Sequence, residues 1–390
     1  MALFLMGLVN YPHFLTNVHA YSNTFAGALV GILAVSNLAA VFPLGLLSDR
    51  VSPKKLYGGS LGCVILFYAL FPLCTGKVLL VILFVVGGIG FAALRIFLRV
   101  LYYKYLPDSQ RSKNISVFFS AGFLGFAAGG LAGGYMQDLG SMLSVPALPF
   151  FAAAGLTAVL AAWTLVIPDS LPEKIRFAEY VRDIRNVKVL MIIGIFILMG
   201  LHYGVEQYGF PKLAQEGLGL SAKKMGHLYL GIGVMLGGLA FIFREFFEKR
   251  EKHFYYFGVA LIISGLFQTG TFFAQDFSSL LLLRLGHVAG DTLIILMSGI
   301  VIVGLFPGSR MGGNVGFINL LNTMGQFGGN FLAGYAIDRD IAAGHRMWSP
   351  YFVAFTLSGI VMIATGLGFI LLRKKLGVAG GRQESITYKV

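Results

Sequence analysis

Long apolar runs recur from one end of this sequence to the other, and nothing constrains its fold more. A bilayer core takes about 20 consecutive apolar residues per helical span. Twelve segments meet that need, near residues 2–20, 24–47, 56–75, 78–102, 113–137, 146–167, 188–209, 225–243, 254–274, 278–304, 311–337 and 350–373. Charged residues are only 12 % of the 390, against about a quarter in water-soluble domains. The mean hydropathy is +0.79. The deficit of charge runs the whole length, so the chain reads as an integral, multi-pass membrane protein. Inside lipid the backbone must satisfy its own hydrogen bonds, which leaves helices as the spanning form here.

The net charge of +13 suggests a polyanionic partner only until the charges are placed. With the N-terminus inside, 21 of the 30 Lys and Arg fall in inside loops and the C-terminal tail, 6 in outside loops and 3 within spans. Basic residues gather on the cytosolic side of membrane proteins. This orientation puts both termini in the cytosol, in a plasma membrane of bacterial inner-membrane type, and needs no nucleic acid. The two cysteines, Cys63 and Cys74, lie eleven residues apart on one span and cannot meet as a disulfide. No basic stretch precedes the first span, so it does not read as a cleaved leader.

An internal repeat divides the chain. "GFAAGGLAGGYMQD" (Gly125–Asp138) and "GQFGGNFLAGYAID" (Gly325–Asp338) match at a shift of 200 residues. "LMGL" occurs in the first span at Leu5–Leu8 and in the seventh at Leu198–Leu201. The longest polar run between spans, Pro168–Lys188, joins the two parts. The expected organisation is a six-helix bundle over 1–167, a cytosolic linker over 168–188, a second bundle over 189–376 and a tail over 377–390. Parallel repeats of this kind build transporters that rock about a central site.

The loop after the second span reads "GLLSDRVSPKK", with Gly45, Asp49, Arg50, Lys54 and Lys55 in the pattern Gly-x-x-x-Asp-Arg-x-x-x-Lys-Lys. It resembles the signature loop of the major facilitator superfamily, with Ser52 where a second Gly is usual. The resemblance covers essentially the whole chain. It implies an all-α fold of twelve membrane helices in two six-helix bundles, and secondary active transport of a small molecule by alternating access. It also implies that Asp49 helps latch the two halves on the cytosolic side. Asp49 lies at a helix end and can accept hydrogen bonds from exposed backbone N–H groups. The fifth span, with Gly125, Gly129, Gly133 and Gly134, partly resembles a motif of proton-coupled exporters, with Gly130 in place of its Pro. A close-packed helix face explains the same glycines.

In that family, spans one, four, seven and ten face the central cavity. Here they carry Asn10, His13 and Asn17; Arg95 and Arg99; His202, Glu206 and Gln207; and Arg284, His287 and Asp291. An ionisable group within a span costs about 2.5–3.5 kcal/mol on insertion scales and marks a functional site by default. Arg284, His287 and Asp291 follow i, i+3, i+7 and share one helix face, with Gly286 and Gly290 expected on roughly the opposite one. At 1.5 Å per residue, Glu206 and Arg284 both lie roughly 10 Å to the outer side of the midplane, so an ion pair between them is expected. Asp291 falls near the midplane with no fixed partner in view, which makes it, with Glu206, the candidate proton carrier. Arg95 is the candidate for gripping an anionic group, because a guanidinium stays charged and binds oxygens bidentately. Arg99 reads as an anchor that snorkels to the inner surface. Asn10, His13, His202, His287, Asn322 and Gln326 complete the candidate substrate site. The amides of the eleventh span, Asn319, Asn322, Gln326 and Asn330, share a face and either glue helices or line a watered cavity.

No Gly-x-x-x-x-Gly-Lys-Ser/Thr loop, His-Glu-x-x-His, Cys-x-x-Cys or Gly-x-Ser-x-Gly occurs, so no ATP hydrolysis, metal, cofactor or catalytic role is expected. The expected function is movement of a small organic solute, anionic or amphipathic, by a monomer in lipid, driven by protons. Drug–proton antiport is an alternative. Two others lie outside the class: a receptor that binds without flux, and a passive channel.

Overall fold

The computed structural model describes residues 10–11, 14–21, 23–104, 111–166, 177–184, 187–243, 253–306, 308–342 and 351–372. Among these residues no strand occurs, and twelve α-helices follow one another. They are α1 (Asn23–Ser48), α2 (Pro53–Leu70), α3 (Lys77–Lys104), α4 (Arg111–Met142), α5 (Leu148–Trp163), α6 (Phe177–Ile184), α7 (Val187–Lys212), α8 (Ala222–Ile242), α9 (His253–Gly270), α10 (Phe277–Leu305), α11 (Met311–Ala342) and α12 (Phe352–Leu372). Eleven correspond to predicted spans two to twelve, and the short amphipathic α6 lies in the polar linker. Most of the first predicted span, with His13, falls outside the described residues. Its C-terminal part forms a π-helical turn at Phe14–Val18.

Nine helices among the described residues are long and apolar enough to cross a membrane. Two further long helices, α7 and α11, carry His202, Glu206, Asn322 and Gln326. They lie against each other along much of their length. Glycines permit this. Gly200 and Gly204 are one turn apart on α7, and Gly325 and Gly329 one turn apart on α11. A Cβ on Gly200 would strike the Asn322 carbonyl, and one on Gly329 the Leu201 carbonyl. Small residues four apart let two backbones approach in this way. The amides of α11 reinforce the crossing: Asn322 donates to the Phe196 carbonyl at 3.0 Å, and Gln326 donates to Asn322 at 2.7 Å.

The seventh span also ends as the first does. A π-helical turn at Leu213–Gly217 closes α7, and Pro211 precedes it by two residues as Pro12 precedes Phe14. Tyr11 and Phe14 are buried among Phe71, Phe84 and Phe150. Elsewhere α1 packs on α3 and α11, α4 on α8, and α9 on α10 and α12.

Where α1 meets the start of α11, Gly45 lies so close that a Cβ would come within 2.6 Å of the Gly312 carbonyl. The motif glycine is therefore a helix-crossing residue. Ser52, at the place where the family pattern has a second Gly, caps α2: its hydroxyl accepts from the Lys55 N–H at 3.2 Å. Lys54 donates to the Leu165 carbonyl at 3.1 Å, tying the loop to the end of the fifth-helix region, while Arg50 is exposed.

Candidate functional site

Two sites emerge, one where α1 meets α11 and one between α7 and α10. The first closes the α1–α11 end. Asp49 is fully buried. One carboxylate oxygen accepts from the Gly312 N–H at 3.1 Å, and the other from the Gly313 N–H at 2.7 Å and the Tyr180 hydroxyl at 2.8 Å. The first N–H groups of a helix have no partner within it and carry its positive dipole end, so an anion from another helix is well placed there. Burial, and then the Asp49 carboxylate, push the Tyr180 hydroxyl above the usual tyrosine range, so it stays a donor. Helix α6 is held alongside. Arg310 donates to both Asp183 oxygens at 2.7 and 3.0 Å and to Glu179 at 2.8 Å, and Asn314 donates to Asp183 at 2.9 Å.

The second site lies between α7 and α10. Arg284, fully buried, makes an ion pair with Glu206. It also donates to Gln268 of α9 at 3.1 Å and stacks over the Phe210 ring at 4.6 Å. The second oxygen of Glu206 lies 3.3 Å from His287 Nε2. His287 Nε2 in turn lies 3.1 Å from an Asp291 oxygen. Its other ring nitrogen, Nδ1, lies 3.0 Å from the Ser264 carbonyl. A carbonyl only accepts, so Nδ1 carries a proton and Nε2 is the atom turned to the carboxylates. His202 Nδ1 meets the Ser358 hydroxyl at 3.0 Å, and its Nε2 lies 3.8 Å from Asp291.

Asp291 is thus not without partners, contrary to the expectation from sequence. The Ser264 hydroxyl donates to it at 2.7 Å, and two imidazoles face it. The cause is a close approach of α9. A Cβ on Gly290 would lie 2.5 Å from the Ser264 nitrogen, so only a glycine admits that hydroxyl to the cluster. The glycine face and the ionisable face of α10 are therefore neighbours, both turned to α9, rather than opposites.

The remaining candidates lie apart from this cluster. Arg95 is exposed and donates to Asn37 of α1 at 2.8 Å. Arg99 donates to Asn319 of α11 at 3.1 Å and lies over the Phe119 ring at 5.9 Å. Asn10 donates to the Gly133 carbonyl of α4 at 3.3 Å. An apolar cavity of about 550 Å³ lies between α7, α11 and α12. His202 and Ser358 line it together with the exposed Leu332, Tyr335 and Leu357.

Ser264, Gln268 and Ser358 are the partners that charge-based reading passes over, because α9 and α12 carry no ionisable group at this level. The legible signal was neutral: Ser264 and Gln268 stand i, i+4 in an otherwise apolar run, one face of a helix.

The fold and the two sites define a polytopic helical membrane protein in which a buried carboxylate of α1 bonds the first turn of α11. A family model described as the Major Facilitator Superfamily matches residues 1–254. The chain belongs to that superfamily. Its fold is similar to that of the human organic anion transporter MFSD10 (TETRAN), with a TM-score of 0.68 at 14 % identity, over 94 % of this chain and 95 % of that one. It is similar also to the E. coli fucose:proton symporter FucP, with a TM-score of 0.69 at 14 % identity, over 94 % and 96 %. No curated relative matches at the sequence level.

Proposed function

We propose that the protein moves a small organic solute across a membrane by alternating access, coupled to protons. The observation that carries this reading is the buried charge cluster between α7 and α10. A membrane helix keeps such groups only where they pair or work, and Asp291 and Glu206 both face an imidazole that can exchange a proton with them. On this reading Asp291 is the proton carrier, Glu206 is shared between carrier and strut, and Arg284 is the strut. The chain divides into bundles over 1–167 and 189–376, and Asp49, Tyr180 and Arg310 hold them closed on the cytosolic side. Both termini are cytosolic, and the protein acts as a monomer in an inner (plasma) membrane.

The solute is anionic or amphipathic. Arg95 supplies the charge that would grip an acidic group; His202, His287 and the α11 amides Asn322 and Gln326 supply polar contacts. The apolar cavity ending at His202 favours an apolar body on the same molecule, in keeping with the general make-up of ligand sites. That cavity also supports a second reading, export of lipophilic drugs against protons.

The test is a thermal-shift screen of a solute library on the purified protein, since a ligand that binds only the folded state raises the melting temperature. Organic acids with an apolar body are expected to stabilise the wild type and to lose that effect in Arg95→Leu. Equal stabilisation of both proteins would remove Arg95 from the site. Stabilisation by sugars or cations alone would overturn the solute class.

A further inference from the structure

Two sequence-local pairs meet in the α7–α10 site. His202 and Glu206 are i, i+4 on α7, and His287 and Asp291 are i, i+4 on α10. Such spacing sets two side chains one turn apart on the same face. Two faces of this kind turned to each other present four donor atoms to one point. One ligand atom from each of the four residues lies within 4.8 Å of all the others.

We propose that His202, Glu206, His287 and Asp291 bind a divalent transition-metal cation of the Zn²⁺ and Co²⁺ type. The first support is the donor set. Two imidazoles and two carboxylates suit a borderline cation better than Mg²⁺ or Ca²⁺, which take oxygen ligands. The second is size. Metal–ligand bonds of about 2.0–2.2 Å in a tetrahedral site put neighbouring ligand atoms about 3.3 Å apart. His287 Nε2 already lies 3.3 Å from Glu206 and 3.1 Å from Asp291.

The third support is the outer shell, and it is the most specific. Ligating side chains in metal sites are oriented by a partner on their far atom. Here all four have one. The far nitrogen of His287 faces the Ser264 carbonyl at 3.0 Å, and that of His202 faces the Ser358 hydroxyl at 3.0 Å. One Asp291 oxygen accepts from the Ser264 hydroxyl at 2.7 Å, leaving the other towards His287. One Glu206 oxygen is held by Arg284, leaving the other towards His287. Each residue so keeps one atom for the centre. Three of the four residues are at least 95 % buried, so the site is shielded from bulk water. His202 Nε2 also lies 3.4 Å from the Ser264 hydroxyl, a contact the cation would replace.

The inference does not depend on transport and is tested without a gradient. The purified, tag-free protein in detergent is titrated with Zn²⁺ by calorimetry, and with Co²⁺ by visible absorption. One Zn²⁺ per chain is expected, with the intense visible band of four-coordinate Co²⁺. His202→Asn, His287→Asn and Asp291→Asn should each weaken Zn²⁺ binding by at least about 100-fold. Ser264→Ala keeps all four ligands and should lose about 10–100-fold, the usual effect of an outer-shell partner. His227→Asn, in a histidine of α8 whose Nδ1 lies 2.8 Å from the Lys223 carbonyl and whose ring packs on Tyr135, should bind as the wild type does. An excess of Ca²⁺ should not compete. Absence of the four-coordinate Co²⁺ band in the wild type overturns the proposal, whether or not the variants fold. So does Zn²⁺ binding that no ligand variant weakens. Metal binding without proton-driven flux would leave this inference standing and remove the proposed function; the reverse result would do the opposite.

Discussion

Arg284→Met should be the most destabilising of the simple substitutions at the site. Arg284 is fully buried between Glu206, Gln268 and the Phe210 ring. Removing one partner of a buried ion pair leaves an uncompensated charge and costs about 3–5 kcal/mol. Methionine fills similar volume, so the loss is electrostatic rather than a cavity. The double variant Glu206→Gln with Arg284→Met removes both charges and should recover most of the loss. Thermal melts of both variants and the wild type in detergent check this. A single variant as stable as the wild type would mean that Glu206 takes its charge balance from His287 and that Arg284 is no strut.

Asp49→Ala carries the second large effect, on conformation rather than folding. Asp49 accepts two N–H bonds from the first turn of α11 and the Tyr180 hydroxyl. Loss of a helix cap costs about 0.5–2 kcal/mol, and the Tyr180 hydroxyl loses an acceptor as well. The loss falls only on the state in which α1 and α11 meet, so the balance of states shifts. One or two kcal/mol is a factor of about 5–30 in a two-state ratio. Spin labels on the Asp49 ends of α1 and α11 should report a longer distance in the variant, with the melting temperature little changed. An unchanged distance distribution would show that Arg310, with Asp183 and Glu179, holds this end closed unaided.

The helices were legible because lipid enforces them. Among the described residues, eleven of the twelve predicted spans have a matching helix, and Arg284, His287 and Asp291 mark out α10 in the sequence itself. The Glu206–Arg284 contact was legible too, because two opposite charges at one depth on two inward helices have few other partners. The surroundings of Asp291 were not. They depend on Gly290, whose missing side chain admits Ser264 from a helix that carries no charge at that depth. Sequence reading weighs charges, and here neutral hydroxyls and an absent Cβ decide the geometry. The partners of Arg99 were hidden for a related reason. Depth along a helix gives the distance to the surface but not the direction of a side chain, and here the side chain meets Asn319 and Phe119. The four-residue cluster forms no linear motif because its halves, "HYGVE" and "HVAGD", lie on separate helices.

The central claim is that the α7–α10 cluster couples solute movement to protons. The most direct measurement is uptake into proteoliposomes of a solute identified by thermal shift, under an imposed pH gradient, by wild type and Asp291→Asn. The wild type should accumulate solute against its concentration gradient when the pH gradient is present and only equilibrate it when absent. Asp291→Asn should bind the solute and equilibrate it in both conditions. Flux by the wild type that ignores the pH gradient, or binding with no flux at all, would contradict the account.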